Sequence, residues 1–131
     1  MPTHQSWLTT NIVMTTWTRP LTETDLDTAF GYLSEQLDST DQTIHILFDI
    51  IDSGRIPASA PVLALRSRFL QKNNTGCVVV IGTDEIGPQI LARIASRVSR
   101  KDITFFPDTE QAVAYLIEHS QLEMPGQLEM A

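Results

Sequence analysis

The sequence lacks the features that define several large protein classes. Cys77 is its only cysteine, so one chain cannot form an internal disulfide or a cysteine-rich metal site. No apolar run approaches the roughly 18 residues of a membrane span, and no apolar leader follows a basic start. These absences exclude disulfide scaffolds, zinc ribbons and membrane proteins, and they predict a soluble cytoplasmic domain.

Positive charge is scarce and unevenly distributed. The chain carries 9 basic and 16 acidic residues, for a net charge of −7. Arg19 is the only basic residue within the first fifty, whereas the other basic residues lie between Arg55 and Lys101. Because phosphate contacts require a basic surface, this balance argues against a nucleic-acid-binding module.

Short apolar segments alternate with amphipathic helical patterns along the chain. We predict strands at 6–8, 12–17, 43–51, 77–81 and 103–106, and helices that begin near Thr22, Ser59, Ile86 and Asp108. This order predicts a single α/β domain over residues 1–119, with a mixed, mostly parallel sheet, an N-terminal β-hairpin and about four helices. Residues 120–131 are predicted to form a C-terminal tail.

Apolar periodicity predicts the core and the helix ends. The residues expected to be buried are Phe30, Leu33, Ile46, Phe48, Val79, Ile81, Ile90 and Ile94. Thr22 with Asp25 and Asp108 with Gln111 have the spacing of capping boxes. Ser59 is expected to cap a second helix that runs to Asn73, since serine is favoured at that position.

The residue types that carry enzyme chemistry are scattered. His4, His45 and His119 have no metal-ligand spacing, and His45 is expected to be a partly covered strand residue. Cys77 begins a predicted buried strand, and no glycine-rich phosphate loop is present. We therefore predict no catalytic residue, no metal and no cofactor, and a protein that is not an enzyme.

The carboxyl end of the 43–51 strand is the most promising location for function. In parallel sheets, ligands gather beyond the carboxyl ends of the strands. Asp49, Asp52, Ser53 and Arg55 follow one another there, with Ser59 a few residues on. We predict that they form a partner-binding or ligand-binding loop.

These residues give the chain a resemblance to the STAS domain, the fold of bacterial anti-sigma factor antagonists (SpoIIAA-like). Asp49 matches the aspartate that ends the family's strand, and Ser59 matches its phosphorylated serine ten residues later. Trp17-Thr18 with Leu21 is similar to the strand-to-helix step of the related STAS/SEC14-type proteins of bacteria. The resemblance covers about residues 6–118.

The resemblance implies a non-catalytic regulatory or protein-interaction module whose partner is an anti-sigma-type kinase, with Ser59 as the candidate phospho-acceptor. The segment Pro57-Ala58-Ser59-Ala60 lacks the aspartate and glycine of the family pattern, so a module without a working phosphoswitch also fits. A plain helix cap is the simpler interpretation of Ser59. The SEC14-type likeness implies an alternative, a small-molecule or lipid-binding domain with a cavity lined by Trp17, Phe48 and Phe69.

A basic face is predicted on the third helix. Arg93, Arg97 and Arg100 lie four and three residues apart, which places them on one side of a helix. Solvation is the simplest role for them. They could instead meet an acidic surface of a second copy, and a homodimer of that kind would weaken with salt.

Overall fold

The computed structural model describes residues 3–82 and 103–123, with side chains described as far as residue 118. The strands are β1 (Thr3–Thr9), β2 (Ile12–Trp17), β3 (Ile44–Asp49), β4 (Thr75–Ile81) and β5 (Ile103–Phe106). The helices are α1 (Glu23–Asp38), α2 (Ala60–Ser67), a 3-10 turn (Phe69–Gln71) and α3 (Thr109–Glu123).

The five strands form one mixed sheet in the order β1-β2-β3-β4-β5. β1 and β2 pair antiparallel as a hairpin, and every later neighbouring pair is parallel. The predicted α/β class, the mostly parallel sheet and the N-terminal hairpin are therefore confirmed. The described residues contain three α-helices rather than about four, because the predicted third helix lies in the undescribed segment 83–102.

Helices cover both faces of the sheet. On one face, α1 and α2 bury a core that includes Leu26, Phe30, Leu33, Leu63, Val13, Ile46, Phe48, Val78 and Val80. On the other face, Ala112 and Leu116 of α3 pack with Ile12, Leu47, Val79 and Ile81. The predicted burial is confirmed for every core residue within the described part, whereas Ile90 and Ile94 lie outside it.

Two helix starts follow the predicted capping pattern. The Thr22 hydroxyl accepts the Asp25 backbone N–H at 3.2 Å, and an Asp25 carboxylate oxygen accepts the Thr22 N–H at 2.9 Å. Before α3, an Asp108 carboxylate oxygen accepts the Gln111 N–H at 2.8 Å. Each contact satisfies a backbone donor that the first helical turn leaves unpaired.

The prediction that the second helix runs to Asn73 is wrong. α2 ends at Ser67, and Arg68 adopts a left-handed conformation with φ of 66° before the 3-10 turn begins. At 100° per residue, an unbroken helix would turn Phe69 well away from the face that holds Leu63. The break at Arg68 lets both Phe69 and Leu70 enter the core.

His45 is fully buried, which corrects the prediction that it is only partly covered. The register of β3 against β4 shifts by one residue between Ile44 and Ile46, so β4 carries an extra residue opposite His45. The His45 Nδ1 accepts the Cys77 backbone N–H at 2.9 Å. Cys77 is half-buried, and the strand predicted to begin there starts at Thr75.

Candidate functional site

The predicted functional residues lie in and beside the β3–α2 loop (residues 50–59), beyond the carboxyl end of β3. Asp49 is the last residue of β3 and pairs in register with Thr16 of β2 and Ile81 of β4. It is half-buried, and its Oδ1 accepts the backbone N–H of Ile51 at 3.2 Å. The aspartate therefore shapes the first turn of the loop.

Backbone hydrogen bonds attach this loop to the sheet. The Ile50 N–H donates to the Ile81 carbonyl at 3.1 Å, which continues the pairing of β3 with β4 past Asp49. The Arg19 N–H donates to the Asp52 carbonyl at 3.1 Å, which joins the loop to the segment after β2. The first half of the loop is therefore held at both sides rather than extending freely into solvent.

Two glycines permit these close approaches. Gly54 has φ of 65°, and a Cβ there would lie 3.1 Å from Arg19 Cβ. Gly82 has φ of 87°, and a Cβ there would lie 3.0 Å from Ile51 Cα. Because L side chains rarely adopt such angles, glycine fits both positions best.

The sequence did not predict Arg19 and Ile51 as members of this site. Gly54 and Gly82 were the signals that could have indicated their close contacts.

The predicted loop residues separate into an inner and an outer set. Ser53 is 2% exposed; its N–H donates to the Ile50 carbonyl, and its hydroxyl donates to the Gly54 carbonyl at 3.2 Å. Asp52 and Arg55 are exposed, and no ion pair joins them within the described part of the chain. The exposed side chain of Ile51 adds an apolar group beside them. Ser53 therefore supports the loop, and the other three form its outer surface.

Ser59 occupies the residue before α2, as predicted, but its side chain does not cap the helix. Its backbone is helical, with φ of −78° and ψ of −3°, whereas a capping residue normally has an extended conformation. Its carbonyl accepts the Leu63 N–H at 3.0 Å, while its Oγ is buried and has no hydrogen-bond partner among the described residues. Within the described part of the chain, the hydroxyl is therefore unsatisfied and does not cap α2.

The substitution Ser59→Ala is expected to raise the free energy of unfolding by up to about 1 kcal/mol, because it removes a buried hydroxyl that makes no hydrogen bond. The change can be measured by urea denaturation. A side-chain cap predicts the opposite sign, a loss of about 1 kcal/mol. Such a loss would therefore contradict the geometry described here.

The aromatic residues expected to line a cavity pack against one another. The ring of Phe48 lies 5.3 Å from that of Trp17 and 5.9 Å from that of Phe69, both edge-on. Phe30 of α1 stacks on Phe69, with the ring centroids 5.2 Å apart. Trp17, Phe30, Phe48 and Phe69 therefore form one contiguous aromatic cluster in the core.

Some predictions concern residues or features that the structure describes only in part. Arg93, Arg97 and Arg100 lie outside the described residues. Within residues 3–82 and 103–123, no cluster of three or more histidine, cysteine or acidic side chains is placed to bind a metal. No helix in that same part is both long and apolar enough to cross a membrane.

Comparison with family models, with curated proteins and with solved structures finds no match to this chain.

Proposed function

We propose that this chain is a non-catalytic regulatory module that binds a protein partner through the outer surface of the β3–α2 loop. The observation that supports it best is the fixed loop itself. Two backbone hydrogen bonds hold it, one from the Arg19 N–H to the Asp52 carbonyl and one from the Ile50 N–H to the Ile81 carbonyl. A loop held in one conformation loses little entropy on binding. Its larger exposed side chains are one apolar and two oppositely charged groups, from Ile51, Asp52 and Arg55, a mixture suited to protein recognition.

The packed aromatic core favours this proposal over the alternative of a small-molecule or lipid-binding domain. Ligand sites of that kind need an enclosed volume of about 300 Å³ or more. The side chains expected to line such a cavity are those of Trp17, Phe48 and Phe69. The ring of Phe48 contacts both of the others.

The family resemblance suggests the partner, an anti-sigma-type kinase. We propose that recognition by such a kinase does not depend on phosphorylation of Ser59. The buried Ser59 hydroxyl supports this, because a kinase active site needs the oxygen to be accessible. The family's phosphoswitch would require the start of α2 to open first.

The proposal can be tested by measuring the affinity of the purified kinase for single-residue variants. Arg55→Glu is expected to weaken binding by about tenfold or more, because it places a second negative charge beside Asp52. Arg66→Glu is the matched control, since Arg66 is also exposed but lies on α2. An equal loss of affinity for both variants, or no binding by the wild-type chain, would contradict the proposal.

Mass spectrometry of the intact protein, after incubation with the kinase and ATP, tests the role of Ser59. We expect no added phosphate. A phosphate that appears on the wild-type chain and is absent from Ser59→Ala would establish Ser59 as the acceptor, and recognition independent of phosphorylation would then be wrong.

A further inference from the structure

The outermost strand of the sheet has an unprotected edge. β1 has seven residues and pairs only with β2 within residues 3–82 and 103–123. Proteins normally protect such an edge with charged side chains or proline, because its free backbone groups can pair with another chain. β1 contains neither, and the first charged residue of the whole chain is Arg19. A bulge also protects an edge, but the bulge of β1 lies at Leu8, after the regular segment from Gln5 to Trp7.

The hydrogen-bonding pattern shows which backbone groups of β1 face outward. The His45 N–H donates to the Asn11 carbonyl at 2.8 Å, so odd-numbered residues of β2 bond to β3 and even-numbered residues face β1. Ser6 pairs with Met14 in this ladder. The N–H and C=O groups of Gln5 and Trp7 therefore point away from the sheet.

Side chains beside this edge are also partly uncovered. Trp7 is 39% exposed even though its Nε1 donates to the Tyr32 hydroxyl at 3.0 Å. Leu8, in the bulge that follows, is 41% exposed. On the far side of the sheet, α3 packs against β3, β4 and β5, so among the described residues the hairpin is the less covered end.

We propose that a second copy of this chain pairs with β1 through the same edge, antiparallel, to make one continuous ten-stranded sheet. A two-fold axis beside Ser6 would place Gln5 of each copy opposite Trp7 of the other. Those residues would then exchange four backbone hydrogen bonds.

The absence of charge is what favours a second copy as the occupant. Two copies of a chain with a net charge of −7 repel each other over most of their surfaces. The hairpin carries no Asp, Glu, Lys or Arg through residue 18, and its one histidine, His4, counts as neutral at pH 7, so it is a region where two copies can approach closely. A strand edge is also self-complementary, because each copy offers the same alternating donors and acceptors.

Sedimentation equilibrium of the full chain at about 0.1 M and 1 M salt tests the proposal. We expect a dimer at micromolar concentrations whose dissociation constant does not rise with salt, since the interface has no Asp, Glu, Lys or Arg and salt screens the repulsion between the two acidic copies. A dimer held by the predicted face of Arg93, Arg97 and Arg100 would instead dissociate at high salt.

Variants at Gln5 identify the surface directly. Gln5→Pro removes an outward N–H from each copy while leaving the backbone bonds to β2 intact, although the side-chain bond from Gln5 Nε2 to Thr15 Oγ1 is lost. It should raise the dissociation constant about tenfold or more. Gln5→Lys places like charges near the axis and should have the same effect. Val62→Lys on α2 makes the same charge change elsewhere and should not affect the dimer.

Circular dichroism melting of each variant separates lost pairing from lost folding. A monomeric wild-type chain would overturn the proposal. So would a dimer unaffected by either Gln5 variant when both retain the wild-type melting profile.

Discussion

Replacing Leu33 with alanine is expected to lower the free energy of unfolding by about 2–5 kcal/mol. Leu33 lies on the inner face of α1 and is 1% exposed. The substitution removes buried methyl groups and leaves a cavity, because α1 is held against the sheet by its other core residues and cannot collapse fully into the space. Guanidinium or urea denaturation followed by circular dichroism measures the loss.

Val62→Ala is the matched control for this measurement. Val62 lies on α2 and is 63% exposed, so its truncation should change the free energy of unfolding by less than about 0.5 kcal/mol. A small effect of Leu33→Ala, similar to that of the control, would mean that α1 does not pack against the sheet as described.

The second large effect is expected for Gly76→Ala, which should lower the free energy of unfolding by about 1–3 kcal/mol. A Cβ at position 76 would overlap the His45 imidazole, approaching Cε1 to 2.6 Å and the Thr43 Cγ2 to 2.9 Å. The ring cannot move away easily, because it is fully buried and its Nδ1 accepts the Cys77 N–H. The extra atom must therefore displace either the ring or the β4 backbone.

A double-mutant cycle tests this cause. In a His45→Ala background the clash with the ring is gone, so Gly76→Ala should cost less there than in the wild-type chain. Gly31→Ala is the control, since a Cβ at position 31 meets nothing within 4 Å. Because alanine favours the helix more than glycine does, this substitution should raise the free energy of unfolding by about 0.5–1 kcal/mol. Equal losses for Gly76→Ala in the two backgrounds would contradict the proposed contact.

Features that depend on neighbouring residues in the chain could be predicted from sequence. The capping box of Thr22 and Asp25 works through residues three apart, and the buried face of α1 repeats every three or four residues. The same local patterns predicted the alternation of helices and strands, and from it a mostly parallel sheet.

Features that depend on tertiary contacts could not be predicted. The left-handed turn at Arg68 exists because Phe69 and Leu70 both reach the core, and no local pattern marks it. The bulge beside His45 depends on a glycine in another strand. Within the candidate site, the sequence predicted the position of Asp49 at the strand end and the charged surface of Asp52 and Arg55. It did not predict the burial of Ser53 or the orientation of the Ser59 side chain.

The order of the sheet has a consequence for how the chain folds. Every described strand pairs with the described strands that precede and follow it in sequence, so no pairing waits for a strand at the distant end of the chain. Each parallel pairing spans a single crossover connection, which is the smallest sequence separation that these parallel strands permit, and a smaller separation favours faster folding than a larger one. During synthesis, the β1–β2 hairpin can form first and each later strand can add to the growing sheet as it leaves the ribosome.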